Sequence, residues 1–402
     1  MREKRLQPHA WVALSLTGLF NAADTLCSIF VSVYLWRNSQ DFQVVCRHYM
    51  ALYVVTPVFF LAAGWYSQAR DRLHMYRLGL VLHAAYYALL LTLRERSPEY
   101  ATELGALLGV TWGVFYAGAN TINFDATIGG RPEYFMGLLQ SIGGALQILA
   151  PLIGGLIIDR APSNLTGYHW VFGLVIVLYL VSFVVSFRTP RDNGRRPFRI
   201  WRALFPGKDQ RDWRLAMLAS ASMAGTFSIF AFLLGLLMYM KTQNEFVVGA
   251  YASYQALSGV IVSYFAGRAM SPRTWRRYMR WGLIFLLAAG AIIAFNLSVL
   301  TLVVFGFLRT VSGALFGIAH FSLRIHIIQK SAQDPAQRIE YLSAWEVPLA
   351  IGRVIMMTMM IGLYEWLSAN ELGLRMTLFV LCAVRIITYI CLTRTSTLRE
   401  NE

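Results

Sequence analysis

Residues 64–79, Gly64-Trp-Tyr-Ser-Gln-Ala-Arg70-Asp-Arg-Leu-His-Met-Tyr-Arg77-Leu-Gly79, return 203 residues later as Gly267-Arg-Ala-Met-Ser-Pro-Arg273-Thr-Trp-Arg-Arg-Tyr-Met-Arg280-Trp-Gly282, with Gly, Arg, Arg and Gly at identical offsets. A repeat of half the chain means that one structural unit is built twice. Each copy is a basic loop between two apolar runs. The 402-residue chain is 57% hydrophobic and only 14% charged, where a soluble domain carries about 25% charged residues; that composition excludes a water-soluble enzyme. Apolar stretches fall at 11–36, 46–66, 77–93, 103–125, 134–158 and 168–187, then at 215–240, 246–266, 279–296, 298–322, 341–364 and 374–393. Each approaches the ~20 residues that cross a bilayer. The runs are continuous rather than alternating, so they read as helices and not barrel strands.

The basic residues assign sides. There are 36 Lys and Arg against 21 Asp and Glu, a net +15, and in so apolar a chain the excess records topology rather than a nucleic-acid partner. With the amino terminus inside, 26 of the 36 lie in the inner connections, the tails and the central segment, and six lie outside. Both termini are therefore expected in the cytoplasm, with Met1–Leu6 leading into a retained first span. Segment 189–214, interrupted by Pro190, Asn193-Gly194 and Pro197, reads as an inner linker between an amino-terminal bundle, 1–188, and a carboxyl-terminal bundle, 215–402. Within it Phe198–Phe205 suits either an amphipathic helix on the membrane surface or a solvated basic loop. Cys27, Cys46, Cys382 and Cys391 have no metal-ligand spacing, so no metal, cofactor or disulfide is expected.

Further matches tie the halves together. Trp36–Phe42 pairs with Met240–Phe246 at the ends of spans 1 and 7, and Arg131-Pro-Glu133-Tyr with Arg338-Ile-Glu340-Tyr at the starts of spans 5 and 11. Two parallel six-span repeats joined by an inner linker resemble the major facilitator superfamily from end to end. The family's loop after span 2 reads Gly, three residues, Asp-Arg, one residue, Gly and two basic residues. Here Gly64, Arg70 and Arg72 remain, Gln68 stands at the Asp position, and Asp71 lies three residues late. The family's exporters carry Gly, eight residues, Gly, three residues, Gly-Pro, two residues and Gly-Gly in span 5. The corresponding residues here are Gly137, Leu146, Ala150-Pro151 and Gly154-Gly155, so four of six positions match. In pattern the chain is similar to bacterial proton-coupled exporters. The resemblance implies an all-α integral membrane protein with twelve transmembrane helices in two pseudo-symmetric six-helix bundles, in a bacterial inner membrane, with spans 1, 4, 7 and 10 around the solute. Pro151 is expected to kink span 5 and Gly154 and Gly155 to admit a neighbouring helix; a generic kinked packing helix is the competing reading.

The charges left within the spans are the candidate functional residues, because an unpaired charge at that depth costs at least ~2.5–3.5 kcal/mol. Asp24 lies mid-span in span 1 and Glu346 in span 11; Arg309, Arg353 and Arg385 are the embedded cations, and Arg375 can snorkel outward. Asn21, Asp24, Thr25, Ser28 and Ser32 share one face of span 1 by their three- and four-residue steps, and Trp112, Tyr116 and Asn120 form a stripe on span 4. Arg309, Ser312 and His320 do the same on span 10, and Tyr254 and Gln255 stand on span 8. A carboxylate that exchanges water for an Arg partner releases or captures a proton in doing so. Asp24 and Glu346 are therefore the leading proton-coupling candidates, against a static ion pair; His320 is a third, against a hydrogen-bonded packing histidine. At the inner surface Gly64, Arg70, Asp71, Arg72, Arg131, Glu133, Arg273, Arg338 and Glu340 are expected to form a gate.

These readings converge on a secondary active transporter that moves a small or amphipathic solute by alternating access, in proton-coupled efflux. Uptake of an anionic solute, or flipping of a lipid or lipid-linked sugar, are the alternatives on the same fold. A non-transporting receptor or scaffold is the alternative of another class. No phosphate-binding Gly-rich loop or catalytic constellation is found, so the chain is not expected to be an enzyme. The expected partners are the solute, protons and membrane lipids, and the expected state is a monomer.

Overall fold

The computed structural model describes residues 8–69, 73–125, 132–189, 201–207, 210–331, 340–341, 344–367 and 369–400. Six long helices come first: α1 Pro8–Ser39, α2 Phe42–Ala69, α3 Leu73–Leu93, α4 Ala101–Asp125, α5 Pro132–Arg160 and α6 Asn164–Val185. After a one-turn helix at Trp201–Leu204 come α7 Arg211–Thr242, α8 Glu245–Ala269, α9 Trp275–Phe295, α10 Val299–Ser331, α11 Glu346–Trp366 and α12 Glu371–Ala383, followed by α13 Arg385–Thr393 and α14 Ser396–Glu400. No strand occurs among the described residues. Among the described residues eleven stretches are long and apolar enough to cross a membrane, and one of them, Leu73–Ala119, contains both α3 and most of α4. The transmembrane helices are thus twelve, with α12 and α13 sharing the last crossing. Each helix satisfies its own backbone hydrogen bonds, which hydrocarbon requires of any spanning segment.

The chain divides into two compact units. The first holds Met1–Phe198 with Gln243–Ser253, and the second holds Arg199–Thr242 with Tyr254–Glu402. In the first, α1 packs on α5 and α6, and α3 packs on α4 and α6; in the second, α7 packs on α11 and α13, and α9 packs on α10 and α12. Packing therefore repeats with a period of six helices.

Backbone geometry fixes the register of the repeat. Gln40 and Gln243 both close their helices with positive φ, 52° and 51°, the left-handed terminal conformation that ends many helices. The residue after each caps the next helix: Asp41 Oδ1 accepts from Gln43 N at 2.8 Å, and Asn244 Oδ1 from Val247 N at 2.9 Å. The true equivalence here is 203 residues, so Asp41 matches Asn244 and the expected pairing of Trp36–Phe42 with Met240–Phe246 is one residue out of register. Glu245 then has no acidic counterpart in the first half.

Small residues bring backbones together. A Cβ on Gly105, Gly109 or Gly113 of α4 would stand 2.1, 2.9 or 2.6 Å from the carbonyl oxygens of His48, Leu52 and Thr56 on α2, four-residue steps on both helices that give the close crossing of small-residue stripes. Helix α10 runs to Ser331, beyond the expected end at 322, so Arg324 lies inside a helix and not in a loop. Its helical hydrogen bonding outlasts its hydropathy.

Candidate functional site

In the first unit, α1 delivers Asp24 to an aromatic interior. The residue is half-buried, and no hydrogen bond or ion pair reaches its carboxylate among the described residues. Cys27, one turn on, donates to Tyr87 Oη at 2.7 Å, and Tyr49, Tyr87 and Tyr179 lie within electrostatic reach of Asp24. Beside this cluster Phe20 stacks on Phe115 at 3.7 Å, and His83 sits edge-on to Phe20 with Nδ1 2.7 Å from Gly79 O. Of the expected polar face, Thr25 donates to Asn21 O, Asn21 and Ser28 are half-buried, and Ser32 is fully buried and donates to Ile29 O. The stripe is therefore closed at the Ser32 end. On α4, Trp112 meets Tyr116 edge-on at 6.2 Å and Tyr116 meets Phe20 at 6.1 Å. The side chain of Asn120 lies outside the described residues.

The second unit gathers cations around α7. Arg309 Nη1 of α10 donates to Gln255 Oε1 at 3.2 Å, and its guanidinium lies 5.6 Å from the Phe227 and Phe230 rings. Arg353 Nε of α11 donates to Ser228 Oγ at 3.2 Å. Arg309, Arg353 and Gln255 thus converge on one stretch of α7, while Tyr254, also half-buried, stands beside Gln255 on α8. Glu346 at the start of α11 lies within electrostatic reach of Arg353 and Arg324, without a direct ion pair among the described residues. Arg324 covers Trp345 at 4.5 Å. His320 Nε2 lies 3.0 Å from Ser220 Oγ in the packed interior. Arg385, the third embedded cation, is 6% exposed and lies 5.2 Å from the Phe316 ring; its Nε and Nη1 have no hydrogen-bond partner among the described residues.

Of the expected gate, Arg70, Asp71, Arg72, Arg131 and Arg338 lie outside the described residues, as does the side chain of Glu133. Gly64 is within α2, Arg273 is exposed in the turn Pro272–Thr274, and Glu340 is half-buried. In α5, Pro151 lies inside the helix. A Cβ on Gly154 would stand 2.7 Å from Leu26 O of α1, and one on Gly155 would stand 2.6 Å from Glu245 O at the start of α8. The neighbour admitted by this stretch is thus α1 on one side and the first turns of α8 on the other.

A cluster that the sequence reading did not foresee lies beside this contact. Glu245, with its side chain 2% exposed, accepts from Arg37 Nη1 at 2.6 Å, from Asn164 Nδ2 at 3.2 Å and from Tyr168 Oη at 3.4 Å. Asn244 Nδ2 donates to Asp159 Oδ1 at 3.1 Å next to it.

The sequence model described as Major Facilitator Superfamily matches residues 14–345. The chain belongs to the major facilitator superfamily. It is a multi-pass membrane protein of that transporter family and not an enzyme. Among relatives of the superfamily member, "Uncharacterized protein YqgE" of Bacillus subtilis (strain 168) is 25% identical over 368 residues, 92% of this chain and 85% of that protein. "Uncharacterized protein in sodM 3'region" of Geobacillus stearothermophilus is 29% identical over 169 residues, 42% of this chain and 78% of that one. The fold is shared with a bacterial homologue of the iron transporter ferroportin (TM-score 0.70, 15% identity, 97% and 99% of the two chains). The nucleoside transporter NupG (0.71, 12%, 96% and 99%) and the E. coli fucose:proton symporter FucP (0.60, 16%, 96% and 98%) share it too. At these identities the likeness speaks for the fold.

Proposed function

We propose that this superfamily member is a proton-coupled secondary transporter that exports a small or amphipathic solute by alternating access. The observation that carries the reading is Asp24: a carboxylate set mid-helix in an apolar span, among tyrosines, with no ionic partner among the described residues. Such a group is costly when charged and finds relief by binding a proton or a cationic partner, which is what a coupling site must do in turn. Glu346, within electrostatic reach of Arg324 and Arg353, is the second carboxylate that supports it. The likeness to a fucose:proton symporter fits proton coupling as a mode of this fold. With both termini cytoplasmic, as the distribution of basic residues supports, the Glu245 cluster sits on the outer side, opposite the expected inner gate.

Arg385 favours a second reading, in which the solute is an anion. A buried guanidinium with two unpartnered nitrogens is unfavourable unless an oxyanion meets it in part of the cycle. The experiment for both readings is flux in proteoliposomes under an imposed pH gradient, with a solute chosen by a thermal-shift screen. Gradient-dependent efflux supports the first reading, and electrogenic or symport-type uptake of an anion supports the second. Flux that ignores the gradient, with Asp24→Asn and Glu346→Gln both fully active, contradicts proton coupling.

A further inference from the structure

At the end of the second unit that carries the chain's carboxyl terminus, a cavity of about 630 Å³ opens between the start of α7, the end of α10 and the tail helix α14. Its floor is apolar and aromatic: Trp213, Ile327 and Tyr341 are buried, and Tyr341 Oη donates to Gln210 Oε1 at 2.9 Å. Its walls carry four cations, Arg211, Lys330, Arg394 and Arg399, and two acids, Asp212 and Glu400.

Both acids are already engaged. Asp212 accepts four hydrogen bonds, from the backbone and hydroxyl groups of Ser396 and Thr397, at 2.8–2.9 Å. These bonds fix the tail that holds Arg394 and Arg399. Glu400 pairs with Lys330. Arg211, Arg394 and Arg399 have no ion pair or side-chain hydrogen bond among the described residues. Three guanidinium groups thus share one concave space with no free acid among its lining residues. Guanidinium forks match tetrahedral oxyanions in geometry and charge, and like charges gathered around one cavity repel unless an anion joins them.

The surroundings place this cavity at headgroup level. Trp213 Nε1 donates to Ala203 O at 2.8 Å, which ties the one-turn helix Trp201–Leu204 to the cavity floor. That turn presents Trp201 and Phe205, 67% and 76% exposed, with rings stacked at 6.1 Å. Paired exposed aromatics beside a basic patch are the pattern of a membrane interface.

We propose that this cavity binds a phosphate-bearing anion, held by Arg211, Arg394 and Arg399, with an anionic phospholipid headgroup and free phosphate as the two sources of that chemistry. The test follows thermal unfolding of the full-length protein in two settings. In detergent, inorganic phosphate is compared with chloride at matched ionic strength; in phosphatidylcholine nanodiscs, the lipid is used with and without phosphatidylglycerol. The expected result is a midpoint raised by at least about 2 °C by one source or both. The rise falls by half or more in Arg211→Gln/Arg394→Gln, and persists in the charge-matched control Arg268→Gln/Arg280→Gln. A rise with phosphate alone assigns the free anion, and a rise with phosphatidylglycerol alone assigns the lipid. No rise from either source, or an equal rise in the double variant, overturns the proposal. If the double variant does not fold, Arg399→Gln alone carries the same comparison.

Discussion

Arg37, in the last turn of α1, places Nη1 2.6 Å from Glu245 Oε1 at the first residue of α8, in a carboxylate pocket completed by Asn164 and Tyr168. This contact ties residues 243–253 to the first unit, although they follow the first helix of the second repeat in the chain. Removing the acid leaves Arg37 and two other donors without their acceptor. Glu245→Ala is expected to lose about 1.5–3 kcal/mol, the range for hydrogen bonds to charged groups, and Glu245→Gln less. Thermal unfolding of the purified protein checks the order. The four native cysteines are buried, so a Gln40→Cys thiol can also report whether the Glu245→Ala change loosens this end, with faster labelling expected.

The glycines beside that contact predict a contrast within one helix pair. A Cβ on Gly249 would stand 2.2 Å from Pro151 O, whereas one on Gly137 would meet nothing within 4 Å. Gly249→Ala should therefore destabilise by about 1–3 kcal/mol through overpacking. Gly137→Ala should be neutral or stabilising by up to about 1 kcal/mol through helix propensity. Equal unfolding midpoints for the two variants would contradict the close approach of α8 to α5.

Arg385 predicts a trade between stability and binding. Its Nε and Nη1 are buried without partners among the described residues, so Arg385→Met should raise the unfolding midpoint of the solute-free protein, by about 1–3 kcal/mol in stability. Under the anionic reading, the same variant loses affinity for the solute. A variant that is less stable than the parent would show that the guanidinium has a partner in the resting protein.

His320 separates packing from coupling. Its Nε2 lies 3.0 Å from Ser220 Oγ in a buried setting, which suits a hydrogen-bonded core histidine. His320→Gln should keep the pH profile of flux and lower the unfolding midpoint. A shifted profile in this variant would move His320 among the coupling groups.

The fold was legible because each crossing demands its own long apolar run, and twelve such runs were plain. Hydropathy measures depth and not hydrogen bonding, however, which is why α10 extends past its apolar stretch to include Arg324. The half-chain repeat was legible at Gly64 and Gly267, but at Gln40 and Gln243 the register was set by backbone conformation that side-chain matching read one residue out. Charges within spans singled out Asp24, Arg309 and Arg353 from sequence alone, because an ionisable residue in an apolar run stands out whatever its neighbours are. Glu245 escaped notice, since it begins a helix at a loop and reads there as an ordinary solvated acid. The approach of α1, α5 and α6 buries it. The lack of a partner for Arg385 is likewise a fact of three dimensions.

The most direct test of the central claim is solute flux in proteoliposomes under an imposed pH gradient, comparing the parent protein with Asp24→Asn. Flux in the parent should rise with the gradient. The Asp24→Asn variant should keep solute binding but lose the gradient response, falling to the rate of passive exchange. An Asp24→Asn protein that still accumulates or expels solute against its concentration gradient, driven by protons as the parent is, would contradict the account.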